Sequence, residues 1–175
     1  LWEGAPALFG QGLEALGISA QDRISPVADM DLARVYGAAA RTLGNRHTGL
    51  YINWEGAEDE VRIACHAPPV VIVGPDVEQR PLGELRFLLG RALELTRPEY
   101  IIVSGLERSE FSSLFASVLR AFHPRHARRR SDDMDPVSRR AAQLKKELPY
   151  RVSRKLGDLF QAKAHVEFNS ALWRH

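Results

Sequence analysis

Sulfur and lysine are both scarce in this sequence. There is one cysteine, Cys65, and there are two methionines. A lone cysteine excludes an internal disulfide and fits a reducing compartment. The only lysines are Lys145, Lys146, Lys155 and Lys163, so arginine carries nearly all the positive charge. No apolar run approaches the ~18–20 residues a membrane helix needs. Leu1-Trp2-Glu3-Gly4 has no basic region or cleavage pattern of a signal peptide. These absences predict a cytoplasmic chain without membrane insertion. Three motif classes are missing as well. There is no Gly-x-Ser-x-Gly elbow for a serine hydrolase and no Gly-rich phosphate loop. There is also no helix-turn-helix, zinc-finger or RNA-recognition signature.

What is present is an ordinary globular composition. The chain has 175 residues, 45% apolar and 26% charged, with a net charge of +2. That length predicts a single domain over 1–175. The chain opens without Met and stops at Trp173-Arg174-His175 within a helical pattern, which reads as a piece of a longer polypeptide.

Taken in order, Trp2, Leu8, Phe9, Leu13 and Leu16 recur at helical spacing, with Gly17 as a stop. Ser25 or Asp29 caps the next helix, whose stripe is Leu32, Val35, Tyr36, Ala39, Ala40 and Leu43. Gly44-Asn45-Arg46 ends it. Gly49 to Asn53 and Val61 to Cys65 read as strands, and the turn-rich 54–59 between them predicts a hairpin. Pro69 to Gly74 reads as a short buried strand. Cys65-His66 suggests a nucleophile or a ligand, but a catalytic Cys needs a His brought in by the fold, so the structural reading is preferred.

Tyr100 to Val103 reads as a strand or as the lead into a helix. Ser109 is placed as the next N-cap, before Phe111, Leu114, Phe115, Val118, Leu119 and Phe122. Asp135-Pro136 is a strong helix start, and Val137, Ala141, Leu144 and Leu148 form its stripe. Ser153 caps a last helix with Leu156, Leu159, Phe160, Ala164, Phe168 and Leu172 facing inward.

The segment that organises the rest runs from Pro81 to Pro98. Leu85, Leu88, Leu89, Ala92, Leu95 and Thr96 recur at helical spacing, and Pro98 ends the pattern. Its phrase Glu84-Leu85-Arg86-Phe87-Leu88-Leu89-Gly90 resembles the active-site helix of zinc metallopeptidases of the CAAX-prenyl-endopeptidase and HtpX type. Laid on that pattern, the two ligand histidines fall on Arg91 and Leu95, and the catalytic Glu on Ala92. A zincin needs two imidazoles at i and i+4 and a carboxylate between them. Arginine cannot become a ligand and alanine accepts no proton. The family's third-ligand phrase, Ala-Asp-x-x-Gly, is also missing, and Glu147 and Glu167 lack its neighbours. The resemblance therefore implies a mainly helical α+β fold with a small sheet, a gluzincin-like core without metal or cofactor. It implies that the last strand before the helix borders a substrate cleft. Degenerate domains of this kind look similar to C-terminal regions of large bacterial tetratricopeptide-repeat proteins. That likeness implies a non-catalytic scaffold that binds a protein partner.

One charged segment stands apart. Residues 123–135 read as a loop between helices, with a basic run at Arg125, Arg128, Arg129 and Arg130 followed by acids. With Lys145 and Lys146 it forms a candidate contact for an anion, an acidic partner or nucleic acid. A metal site at His123 and His126 is the weakest reading, because Pro124 interrupts their alignment and the arginines repel a cation. An enzyme with another site is the remaining alternative.

Overall fold

Three short strands, β1 (Gly49–Ile52), β2 (Val61–Ala64) and β3 (Val70–Val73), make one sheet in the order β1-β3-β2. The computed structural model describes residues 1–127 and 135–164. All four residues of β3 are β-branched and buried, a pattern that belongs in the middle of a sheet covered on both faces. It pairs in parallel with β1, Gly49 opposite Val70, and antiparallel with β2, Val61 opposite Val73. The hairpin predicted between the first two strands is therefore incorrect. β1 and β2 are not neighbours, and the antiparallel partner of β2 is β3. The reason is burial: only β3 is apolar and buried at every position, whereas β1 ends on a half-buried Ile52 and β2 begins with half-buried Val61 and Arg62, so β3 takes the centre and the other two take its sides.

The described residues divide into two compact units. One holds residues 6–106 with Trp2; the other holds those from 107 onward, with Leu1 and residues 3–5. In the first unit, two helices, α1 (Asp31–Thr42) and α2 (Leu82–Leu95), pack on each other over one face of the sheet. Leu32, Val35, Tyr36, Leu85, Leu89 and Leu93 there meet Leu50, Ile63, Val71 and Val73. On the other face, Leu16 and Ile18 cover Tyr51, Ala64, Val70 and Ile72.

Leu16 and Ile18 do not come from a long helix. Instead, residues 2–16 contain separate single turns at Trp2–Gly4, Pro6–Leu8 and Glu14–Leu16. Gly4, Pro6, Gly10 and Gly12 interrupt the ladder too often for a nucleus to propagate. Gly17 does end the last turn, with φ 73°. α1 has neither predicted cap: Met30 holds the N-cap position without a side-chain bond, while Ser25 Oγ accepts from the Val27 amide. Its other end follows the sequence. Gly44 turns left-handed at φ 69°, and the amides of Asn45 and Gly44 return to the carbonyls of Ala40 and Arg41, a Schellman closure. The Tyr100–Val103 run resolves as the start of α3 (Ile101–Gly105).

In the second unit, α4 (Arg108–Phe122) packs on α5 (Pro124–Ala127), α6 (Pro136–Glu147) and α7 (Tyr150–Ala162). Asp135 caps α6 by accepting from the Val137 amide, with Pro136 at the first position. Ser109 and Ser153 are not caps. α4 begins two residues earlier, after Glu107, and α7 begins after Pro149, so both serines lie inside their helices. Leu159 is exposed while Phe160 is buried; Phe168 and Leu172 lie outside the described residues. Among the described residues, no helix is long and apolar enough to cross a membrane.

Candidate functional site

The residues singled out on the central helix converge on one cleft. Leu88, Arg91, Ala92 and Leu95 of α2 line it together with Val61, Arg62 and Ile63 of β2 and Ser104 of α3, around a volume of about 370 Å³. All belong to the first unit. The strand bordering this cleft is β2, whereas the expectation was the last strand before the helix. β3 is central and has no free side to offer.

α2 sets the arrangement by its spacing. Leu85, Leu89, Ala92 and Leu93 are buried, while Leu88 and Leu95 are half-buried along the cleft side. Leu93, absent from the predicted stripe, is fully buried. The apolar face is thus rotated slightly from the one read in the sequence. Leu95 packs against the core from its edge rather than inside it. Arg91 is exposed. Glu94, one candidate partner for it, is instead paired with Arg97 at 2.9 Å. Glu147, the other candidate, accepts from Gln143 Nε2.

β2 contributes backbone as well as side chains. Gly74 N–H donates to Glu60 C=O, which sets the alternation. In the β2–β3 ladder, Arg62 and Ala64 turn their amides toward β3, and Val61 and Ile63 turn theirs outward. Among the described residues, nothing hydrogen-bonds the outward groups of Val61 and Ile63. The next outward carbonyl, that of Cys65, accepts from the Gln11 amide at 2.5 Å. The N-terminal segment therefore closes that end of the edge. Arg62 is held in place by the Leu16 carbonyl at 2.6 Å and by Glu60 at 3.4 Å.

The donor set of the cleft does not fit Zn²⁺. Zinc takes imidazole, thiolate or carboxylate, and the lining side chains offer guanidinium, hydroxyl and hydrocarbon. Among the described residues, no group of three or more His, Cys, Asp or Glu is placed to share a metal ion. Cys65 is fully buried, and its thiol lies 3.4 Å from the Ile101 carbonyl. His66 Nδ1 lies 2.9 Å from the Pro68 carbonyl. Cys65 is thus packed inside the first unit, and His66 sits in the loop that follows β2.

The basic candidates lie in the second unit. Arg125 is exposed on α5, and Lys145 and Lys146 are exposed on α6. Arg128, Arg129 and Arg130, and Glu167, lie outside the described residues. The first part of the predicted 123–135 loop is the short helix α5. His123 is buried there against the ring of Phe160, 5.8 Å between centroids, and that of His126, 4.9 Å.

Sequence reading missed two features of the first unit. One is the role of Val61–Ile63 as an edge, whose signal was the uninterrupted apolar run of β3. The other is a polar cluster of Asn45, Thr48 and Thr96 behind α2, which leaves no motif in the sequence. No protein-family model matches the chain, and no curated protein or solved structure matches it.

Proposed function

We propose that this chain is a non-catalytic interaction domain, similar to a gluzincin core without its metal, that holds an extended segment of a protein partner between α2 and β2. The observation that carries the reading is the outward backbone of Val61 and Ile63 beside the degenerate positions Arg91, Ala92 and Leu95. An edge strand beside an apolar wall is how extended peptides are taken by strand addition. Two residues offer two donors and two acceptors. At about 0.5–1.5 kcal/mol each, main-chain pairing contributes roughly 2–6 kcal/mol, before the costs of association. Millimolar binding alone needs about 4 kcal/mol, so side chains entering the apolar part of the cleft must supply the rest. The resemblance to domains of tetratricopeptide-repeat proteins supports a cytoplasmic scaffold role.

The experiment is a screen of a displayed library of extended peptides, followed by hydrogen exchange on the complex. A binder should protect the amides of Val61 and Ile63. Val61→Pro removes one outward donor without touching the β3 ladder and should abolish binding while leaving the fold intact. Protection confined to other segments, or turnover of any peptide, would overturn the reading. So would stoichiometric zinc in protein purified without chelator.

A further inference from the structure

Arg23, Arg41 and Arg46 line a second pocket of the first unit, of about 280 Å³, which no acidic residue lines. They reach it from different places in the chain. Arg23 bridges to Tyr51 alongside β1. Arg41 stands in the last turn of α1, and Arg46 follows the turn that closes it. None of the three is in an ion pair among the described residues. Like charges gathered without a counter-ion repel, and a bound anion relieves that repulsion.

The pocket is also shaped for an occupant. Tyr36 lies buried in its wall, with its hydroxyl donating to the Thr48 carbonyl at 3.1 Å. Gly37 lies in the same wall, and a Cβ there would stand 3.5 Å from Arg41 Nη1, so the guanidinium folds back over the helix at this point. The walls are therefore apolar and partly aromatic, and the rim is cationic.

We propose that this pocket binds a small phosphorylated compound, whose phosphoryl group is held by Arg23, Arg41 and Arg46. One carboxylate is satisfied by a single guanidinium fork. Three forks around one pocket match a group with three acceptor oxygens and a charge near −2, which a phosphoryl group supplies. The site is distinct from the α2–β2 cleft, and its occupancy does not depend on the interaction reading.

The test is calorimetric titration with inorganic pyrophosphate at low salt, with amide chemical shifts followed in parallel. One equivalent should bind, moving the amides of Gly37 and Gly49. Arg41→Gln and Arg46→Gln should each weaken it by about tenfold or more, the scale of one lost charge-assisted bond. Lys155→Gln, an exposed cation of α7, should leave it unchanged, and succinate should bind at least about tenfold more weakly than pyrophosphate. All three arginines are exposed, so the variants are expected to keep the parent melting temperature. Absence of binding would overturn the proposal. So would equal binding of succinate, insensitivity to the arginine changes, or shifts confined to α6.

Discussion

The side-chain amide of Asn45 donates to the Thr96 hydroxyl at 2.6 Å and to the Leu93 carbonyl at 3.1 Å, joining the turn after α1 to the end of α2. Thr48 donates to Asn45 Oδ1 at 2.7 Å, and Thr96 donates to the Leu93 carbonyl at 2.7 Å. Each donor thus has an acceptor, and the cluster fixes where the last turn of α2 sits against the start of β1. Asn45→Ala should lower stability by about 1–3 kcal/mol, because it takes away the acceptor of the Thr48 hydroxyl near the core, while the Leu93 carbonyl keeps its bond from Thr96. Denaturant unfolding checks this. A loss within about 0.5 kcal/mol, the scale of a neutral surface change, would mean that water replaces the amide freely.

Gly74 follows β3 where the chain passes against the 57–58 turn. A Cβ there would lie 2.1 Å from the Ala57 carbonyl oxygen and 2.5 Å from that of Glu58. Both are backbone atoms, so no side chain can swing away. Gly74→Ala should cost about 1–3 kcal/mol through forced backbone displacement. An unchanged unfolding midpoint would show that the turn yields at no cost.

The stripe of α1, the Gly44 stop and the Asp135-Pro136 start follow from local chemistry, and all three stand in the structure. Strand order does not follow from local chemistry. Gly49–Ile52 and Val61–Ala64 are adjacent in sequence with a turn between them, yet both pair with Val70–Val73. The competition for the centre is settled by which strand can be buried on both faces. The helical spacing over residues 2–16 does not become one helix, because Gly4, Pro6, Gly10 and Gly12 break it into single turns. At the cleft, the sequence located α2 and its degenerate positions, but the backbone edge of β2 has no residue signature. The arginine pocket was invisible because Arg23, Arg41 and Arg46 meet only after β1 is paired beside the Arg23 segment.

Tyr36 gives a pH signature. Burial raises the phenol above its ordinary value near 10, with the charge of Arg23 opposing. The folded state therefore holds its proton more tightly than the unfolded chain. Below pH ~10 both states are protonated and Tyr36 adds no pH dependence. As pH rises past that point the unfolded chain releases its proton first, and stability falls. The difference in unfolding free energy between the parent and Tyr36→Phe should be flat up to about pH 9.5 and shrink or reverse above it. The lost hydrogen bond to Thr48 only offsets the curve, so a constant difference at all pH values would contradict the burial of this hydroxyl.

Leu93 and Leu95 separate the two sides of α2. Leu93 is fully buried, so Leu93→Ala should cost about 2–5 kcal/mol, the range of a cavity in a packed core. Leu95 is half-buried on the cleft. Part of its surface is already in water, and the loosened wall can relax into the opening, so Leu95→Ala should cost about 1–2 kcal/mol. The larger effect of Leu95→Ala should be on peptide capture, since its side chain forms the apolar wall opposite Val61 and Ile63. The combined change Arg91→His, Ala92→Glu and Leu95→His places two imidazoles and a carboxylate at the helix positions a zincin uses. It should still not hydrolyse peptides, because the lining side chains include no third ligand and zinc chemistry needs three protein ligands and an open position. Unfolding curves for the two single variants, and a peptidase assay of the triple variant with added zinc, make the comparison. Equal destabilisation by Leu93→Ala and Leu95→Ala would place Leu95 in the core rather than on a cleft, and measurable hydrolysis by the triple variant would mean that a third ligand is supplied from elsewhere.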